Sequence, residues 1–165
     1  MRLYLDMDGV IADFFTLFAE ENKVKHWKLI SCKEQALANI RGTDFFNRIK
    51  PFPISDELIK FAKNFGDWGI CSSPLKNDIM NSAYWKRVWL ERYGFMPLVE
   101  KCIFTRNKHE YARDSKTFAP NILVDDKLSN IADWIEAGGI GIRFQANQDN
   151  FRTLVHQIGA IKRYS

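Results

Sequence analysis

Five short apolar runs, separated by stretches long enough for a helix, constrain this chain more than any other feature. They predict strands over residues 2–6, 68–72, 102–105, 122–125 and 141–144. Strand–helix alternation of this kind specifies an α/β architecture built on a parallel sheet. Two of the runs lead into acidic pairs. Leu3-Tyr4-Leu5 precedes Asp6-Met7-Asp8, and Ile122-Leu123-Val124 precedes Asp125-Asp126. Ligands of open α/β sheets collect beyond the carboxyl ends of the strands. Both pairs are therefore expected at one sheet edge, where the carboxylates would repel one another without a cation. Ligation by oxygen alone suits Mg²⁺.

The intervening stretches carry helical rhythm. Tyr84, Trp85, Val88, Trp89 and Tyr93 recur every three to four residues, predicting a helix over 77–92 with these side chains on its buried face. Ser129 is a candidate cap for a helix through Ile131, Trp134 and Ile135 that stops at Gly138 and Gly139. A last helix is expected over about 149–161. Residues 16–55 break the alternation: they hold apparent helices and no clear strand. One helix opens on Ser31-Cys32-Lys33-Glu34, a capping-box pattern, and the segment ends in Lys50-Pro51-Phe52-Pro53, a stiff joint. The expected organisation is a core of residues 1–15 and 56–165 with a small helical insert, 16–55, over the sheet edge.

Composition excludes several classes. A chain of 165 residues supports one domain with a substantial core. It has no apolar stretch long enough to span a bilayer and no signal-peptide pattern, so a cytoplasmic location is expected. Three cysteines without a CxxC pair indicate neither a disulfide framework nor a zinc site; Cys71 and Cys102 read as core residues. The net charge of +4 is modest and the basic residues are scattered, which favours a small anionic substrate over a stable nucleic-acid complex.

Other chemistry-bearing residues also follow predicted strands. In Asp6-Met7-Asp8-Gly9, the glycine permits a turn, so one aspartate could attack a phosphorus atom while the other handles the leaving-group proton. A calcium-loop reading fails because the twelfth position is Leu17 and not glutamate. Ser72-Ser73-Pro74 could bind a phosphoryl oxygen, although a helix cap before a proline explains the same residues. Lys108 could neutralise charge shared by phosphate and aspartate, with Lys116 an alternative.

The ordered series Asp-x-Asp, Ser, Lys, Asp-Asp resembles the haloacid dehalogenase superfamily phosphatases, and within them the 5'(3')-deoxyribonucleotidases. The resemblance is carried by YLDMDGVIADF, FFNRIKPFPISDELI, GICSSPLK with YWKRVWLERYG, IFTRNK and NILVDDKLSNIADW. It implies a Rossmann-like core with a helical cap after the first strand. It further implies Asp6 as nucleophile, Asp8 as general acid and then base, and Ser72 and Lys108 as phosphoryl contacts. Mg²⁺ would be held by Asp6, the Asp8 carbonyl and Asp125, with Asp126 acting through water. Ser73 and Lys76 would lie on the phosphate side, and Phe45 and Phe46 would contact the base. Ser72 stands where relatives often carry threonine, and the stretch from Lys108 to Asp125 is longer than theirs, which keeps Lys116 open. The function expected is hydrolysis of deoxyribonucleoside monophosphates. The rivals are a phosphatase for another small phosphate or a nucleic-acid end, and a non-catalytic phospho-receiver. Phe14, Phe15, Phe18 and Trp27 complete the aromatic set of the insert.

Overall fold

Strands β1 (Leu3–Leu5), β2 (Trp68–Ser72), β3 (Cys102–Phe104), β4 (Ile122–Asp125) and β5 (Ile140–Arg143) occupy the five apolar runs. The structure is a computed structural model and describes residues 1–163. All pairings are parallel, in the order β3-β2-β1-β4-β5. Every residue of β1, β2 and β4 is buried, as strands covered on both faces require. The pleat sends Leu3, Leu5, Ile70, Ile122 and Val124 into the larger apolar cluster. Tyr4, Cys71 and Leu123 alternate to the opposite face, beneath Trp134 and Ile131. The architecture is a Rossmann-like α/β sheet flanked by helices.

Register fixes where the acids emerge. Leu5 pairs with Ile70 on one side and Val124 on the other. The Asp6 N–H then donates to the Val124 carbonyl at 2.9 Å, continuing the ladder by one residue. Asp6 and Asp125 therefore leave adjacent strands at the same level. The chain builds outward from β1 to β3, then crosses back to β4, so β1 and β4 flank the topological switch point.

Helices α1 (Phe14–Glu21), α2 (Lys33–Asn39), α3 (Phe45–Arg48) and α4 (Ser55–Phe65) lie between β1 and β2. Helix α4 shows why these elements form. Leu58, Ile59 and Ala62 make one buried stripe, Asp56 and Glu57 face the positive helix start, and Lys63 sits in the last turn. Gly66, at φ +105°, ends it. Within the 16–55 span, Phe18, Ile30, Ala36, Ile40, Phe45, Phe46 and Ile49 share the large cluster with β1 and β4. The ends of the span are laced together: Asp13 N–H donates to the Lys50 carbonyl at 2.9 Å, and Phe52 N–H to the Ile11 carbonyl at 3.1 Å.

Helices α5 (Ile79–Arg92), α6 (Leu128–Glu136) and α7 (Phe151–Arg163) complete the described chain. Three details differ from the sequence reading. The buried face of α5 is Ser82, Lys86, Trp89 and Leu90, while Tyr84 is 58% exposed. Helix α6 starts at Leu128, so Ser129 lies inside it and makes no capping bond; Asp125 accepts from Lys127 N–H at 2.8 Å just before its first turn. Helix α2 has Cys32 at its cap position and no side-chain cap, so Ser31 falls one residue too early. No helix among the described residues is long and apolar enough to cross a membrane.

Candidate active site

Each functional side chain is delivered by the end of a strand or the turn after it. Asp6 follows β1, Ser72 ends β2, Lys108 opens a 3₁₀ turn after β3, and Asp125 ends β4. Lys108, 3% exposed, places Nζ 2.6 Å from Asp125 Oδ2 and 3.0 Å from Asp6 Oδ1. Lys116 is exposed, and its backbone N–H belongs to a turn around Asp114. Lys108 is therefore the lysine that the fold brings to the acids. Asn130, from α6, donates to the same Asp125 Oδ2 at 2.9 Å.

Asp6, Asp125 and Asp126 each present an oxygen, all within 4.8 Å of one another. Gly9, at φ +80°, makes this approach possible: a Cβ there would lie 2.6 Å from the Asp126 carboxylate. The donor set fits a hard divalent cation. It consists of carboxylate oxygen alone, supplied by three acids crowded into one small space. The side chain of Asp8 is outside this group. Its Oδ2 accepts from Lys86 Nζ at 2.6 Å, and Lys86 also donates to Ser72 Oγ at 2.9 Å.

The two aspartates of the first motif are driven apart electrostatically. Burial pushes the Asp6 carboxyl up, but Lys108 and Lys86, with the Ser72 hydroxyl, outweigh it and hold Asp6 below the ordinary carboxylate range. At Asp8 burial prevails over Lys86, and its carboxyl is raised, with the charge of Asp6 adding to the effect. Burial and the neighbouring charges of Asp6, Asp125 and Asp8 push Asp126 up to about 8. Burial also raises Asp125, with Asp6 adding and Lys108 opposing. Burial disfavours the charged form of Lys108, but Asp6 and Asp125 more than restore it. An acid held low beside one pushed high is the arrangement that nucleophile and proton-donor roles require. The buried thiol of Cys71 is pushed up to about 12, which excludes it as a nucleophile at neutral pH.

A cleft of about 490 Å³ opens over the acids, lined by Asp6, Asp8, Ser73, Asp126, Phe14, Phe15, Trp27, Lys127, Asn130 and Gln145. That volume suits a small-molecule ligand. Phe15 and Trp27 stack on each other in its wall, ring centroids 5.0 Å apart and planes 26° from parallel. Phe45 and Phe46 are 0% and 3% exposed and pack into the apolar cluster, so the expected base contacts are core residues instead. Ser73 lines the cleft; Lys76 is exposed and does not. Sequence reasoning missed Lys86, Asn130 and Gln145. For Lys86 a signal existed, since Ser82, Lys86, Trp89 and Tyr93 also follow the helical period.

The fold is shared with solved structures. A haloacid dehalogenase-like family hydrolase from Xanthomonas campestris matches with a TM-score of 0.56 at 11% identity, over 97% of this chain and 94% of that one. A HAD-family enzyme from Bacteroides thetaiotaomicron, solved as a magnesium complex, matches with a TM-score of 0.52 at 14% identity, over 93% and 97%. The fold is thus the haloacid dehalogenase-like fold. In sequence, the chain resembles the mitochondrial 5'(3')-deoxyribonucleotidase of Mus musculus, 27% identical in an alignment 150 positions long that covers 77% of this chain. The match spans 64% of that relative's length. No family model matches the chain.

Proposed function

We propose that this chain is a Mg²⁺-dependent phosphomonoesterase that hydrolyses deoxyribonucleoside monophosphates through a phosphoaspartate on Asp6. The observation that carries the reading is the convergence of Asp6, Asp8, Ser72, Lys108 and Asp125 at one sheet edge, beneath a cleft that Asp6 and Asp8 line, with Asp6 held below the ordinary carboxylate range and Asp8 raised above it. Asp6 attacks phosphorus, and the bond to the nucleoside oxygen breaks as Asp8 gives that oxygen its proton. Water then attacks the aspartyl phosphate and Asp8, now ionised, takes the proton. Phosphate leaves and Asp6 is restored. Lys108 and the Ser72 hydroxyl steady the phosphoryl oxygens. Asp6, Asp125 and the Asp8 carbonyl would hold Mg²⁺, with Asp126 behind a water; the ion supplies the charge that lets a carboxylate approach a phosphate dianion.

Residues 16–55 act in this reading as a cap that closes the cleft, and 1–15 with 56–165 as the catalytic core. The base stacks on the aromatic wall of Phe15 and Trp27, an interaction of about 1–3 kcal/mol per base. The test is a panel of deoxynucleotides, sugar phosphates and 3'-phosphorylated oligonucleotides, each with Mg²⁺ and with chelator. Deoxynucleoside monophosphates should be the preferred substrates, chelator should abolish turnover, and Asp6→Asn should be inactive. Equal or better turnover of sugar phosphates or oligonucleotide ends would redirect the substrate assignment. A single lasting phosphorylation without steady phosphate release would instead make the chain a receiver.

A further inference from the structure

Lys86 is the most buried charged side chain outside the acidic cluster, 1% exposed in the middle of α5. A lysine ammonium has three donors. One goes to Asp8 Oδ2 at 2.6 Å and one to Ser72 Oγ at 2.9 Å. The ammonium also sits 5.0 Å from the centroid of the Phe46 ring, where a cation is attracted to the aromatic face. Phe46 itself is fixed in the apolar cluster, so the lysine is held from both the sheet edge and the 16–55 span.

This grip is selective. It occupies one oxygen of Asp8 and leaves the other, Oδ1, buried and without a hydrogen-bond partner. A buried carboxyl oxygen left open in this way costs stability unless something uses it. Ser72 Oγ accepts from Lys86, so its own hydrogen must be donated elsewhere, toward Asp6 or a phosphoryl oxygen. A single cation thus orients the proton carrier and the phosphoryl-binding hydroxyl together.

We propose that Lys86 is a positioning residue for the phosphatase reaction: it clamps Asp8 Oδ2 and Ser72 Oγ and so holds the Asp8 carboxyl in place for proton transfer to the leaving-group oxygen. The inference rests on the proposed phosphatase reading. It predicts a dependence on leaving group that a merely structural lysine would not produce. A deoxyribose alkoxide must be protonated as it departs, whereas p-nitrophenolate leaves with little help. Positioned general acids contribute about 10²–10⁴-fold.

The experiment compares phosphoenzyme formation from a deoxynucleoside monophosphate and from p-nitrophenyl phosphate by rapid quench, in wild type and Lys86→Met. The variant should lose about a hundredfold or more with the nucleotide and less than about tenfold with p-nitrophenyl phosphate, which should then show a burst of p-nitrophenolate followed by slow turnover. Lys86→Gln keeps an amide donor toward Asp8. It should recover part of the nucleotide rate, and it supplies the same comparison if the methionine variant fails to fold. In an Asp8→Asn background, replacing Lys86 should have little further effect on the nucleotide reaction. Equal losses on both substrates, no loss on either, or additive losses with Asp8→Asn would overturn the proposal. Absence of phosphatase activity in the wild-type protein would instead remove the underlying reading.

Discussion

Asp126 shows how far a single side chain can be driven from its ordinary behaviour. Burial and three neighbouring carboxylates push it up to about 8, so the metal-free folded protein holds a proton there that the unfolded chain releases near pH 4. A raised folded-state pKa means that this group favours folding below the ordinary carboxylate value and progressively less as pH climbs toward 8. In chelator, Asp126→Asn should therefore gain melting temperature relative to wild type as pH is raised from about 5 to about 8. Mg²⁺ should remove the difference by restoring the charge balance. A wild-type-minus-variant difference independent of pH across that window would contradict the assignment. The same scale shows what could be read directly from the chain. Asp6, Asp8, Ser72, Lys108 and Asp125 follow apolar runs whose ends must lie on one edge, so their meeting was legible. Lys86 was legible only in part: it shares the helical period of Ser82, Trp89 and Tyr93, but a lone lysine between Trp85 and Arg87 reads as solvated until the fold shows which face of α5 is covered.

Elements behaved according to how much of their pattern was local. The strands were legible because continuous apolar runs bounded by polar residues have few other uses in a helix-alternating chain. The helix starts at Ser31 and Ser129 were misplaced, since either position could cap and only the geometry of the preceding turn decides. The aromatic span between Phe14 and Phe46 was ambiguous for another reason. Stacking surfaces and core side chains are the same residue types, and burial alone separates them. Phe15 and Trp27 reach the cleft, while Phe45 is fully buried between Phe14, Phe18 and Phe46. Trp27→Ala should accordingly raise KM for a deoxynucleotide by about five- to a hundredfold, in line with about 1–3 kcal/mol of stacking, and leave a sugar phosphate little changed. Phe45→Ala should instead cost about 3–5 kcal/mol of stability as a core cavity. Steady-state kinetics and denaturant melts of both variants check this division, and a reversed pattern would restore Phe45 to the binding surface.

Across the whole molecule, α5 links the span over the cleft to the strand edge below it. Trp89 Nε1 donates to the Ile49 carbonyl at 2.7 Å, Asn81 to the Thr43 carbonyl at 2.9 Å, and Arg92 to the Asn47 carbonyl at 3.0 Å. Lys86 reaches Asp8 and Ser72 from the same helix. The 43–49 stretch is thereby tied to the sheet edge, while Phe15 and Trp27, which line the cleft, make none of these bonds. The most direct test of the account is acid quench of the enzyme turning over a ³²P-labelled deoxynucleoside monophosphate with Mg²⁺, followed by peptide mapping. Label on the peptide containing Asp6, absent from Asp6→Asn and chased by unlabelled substrate, is the predicted result. Turnover with no trapped label, or with label on another residue, would contradict it.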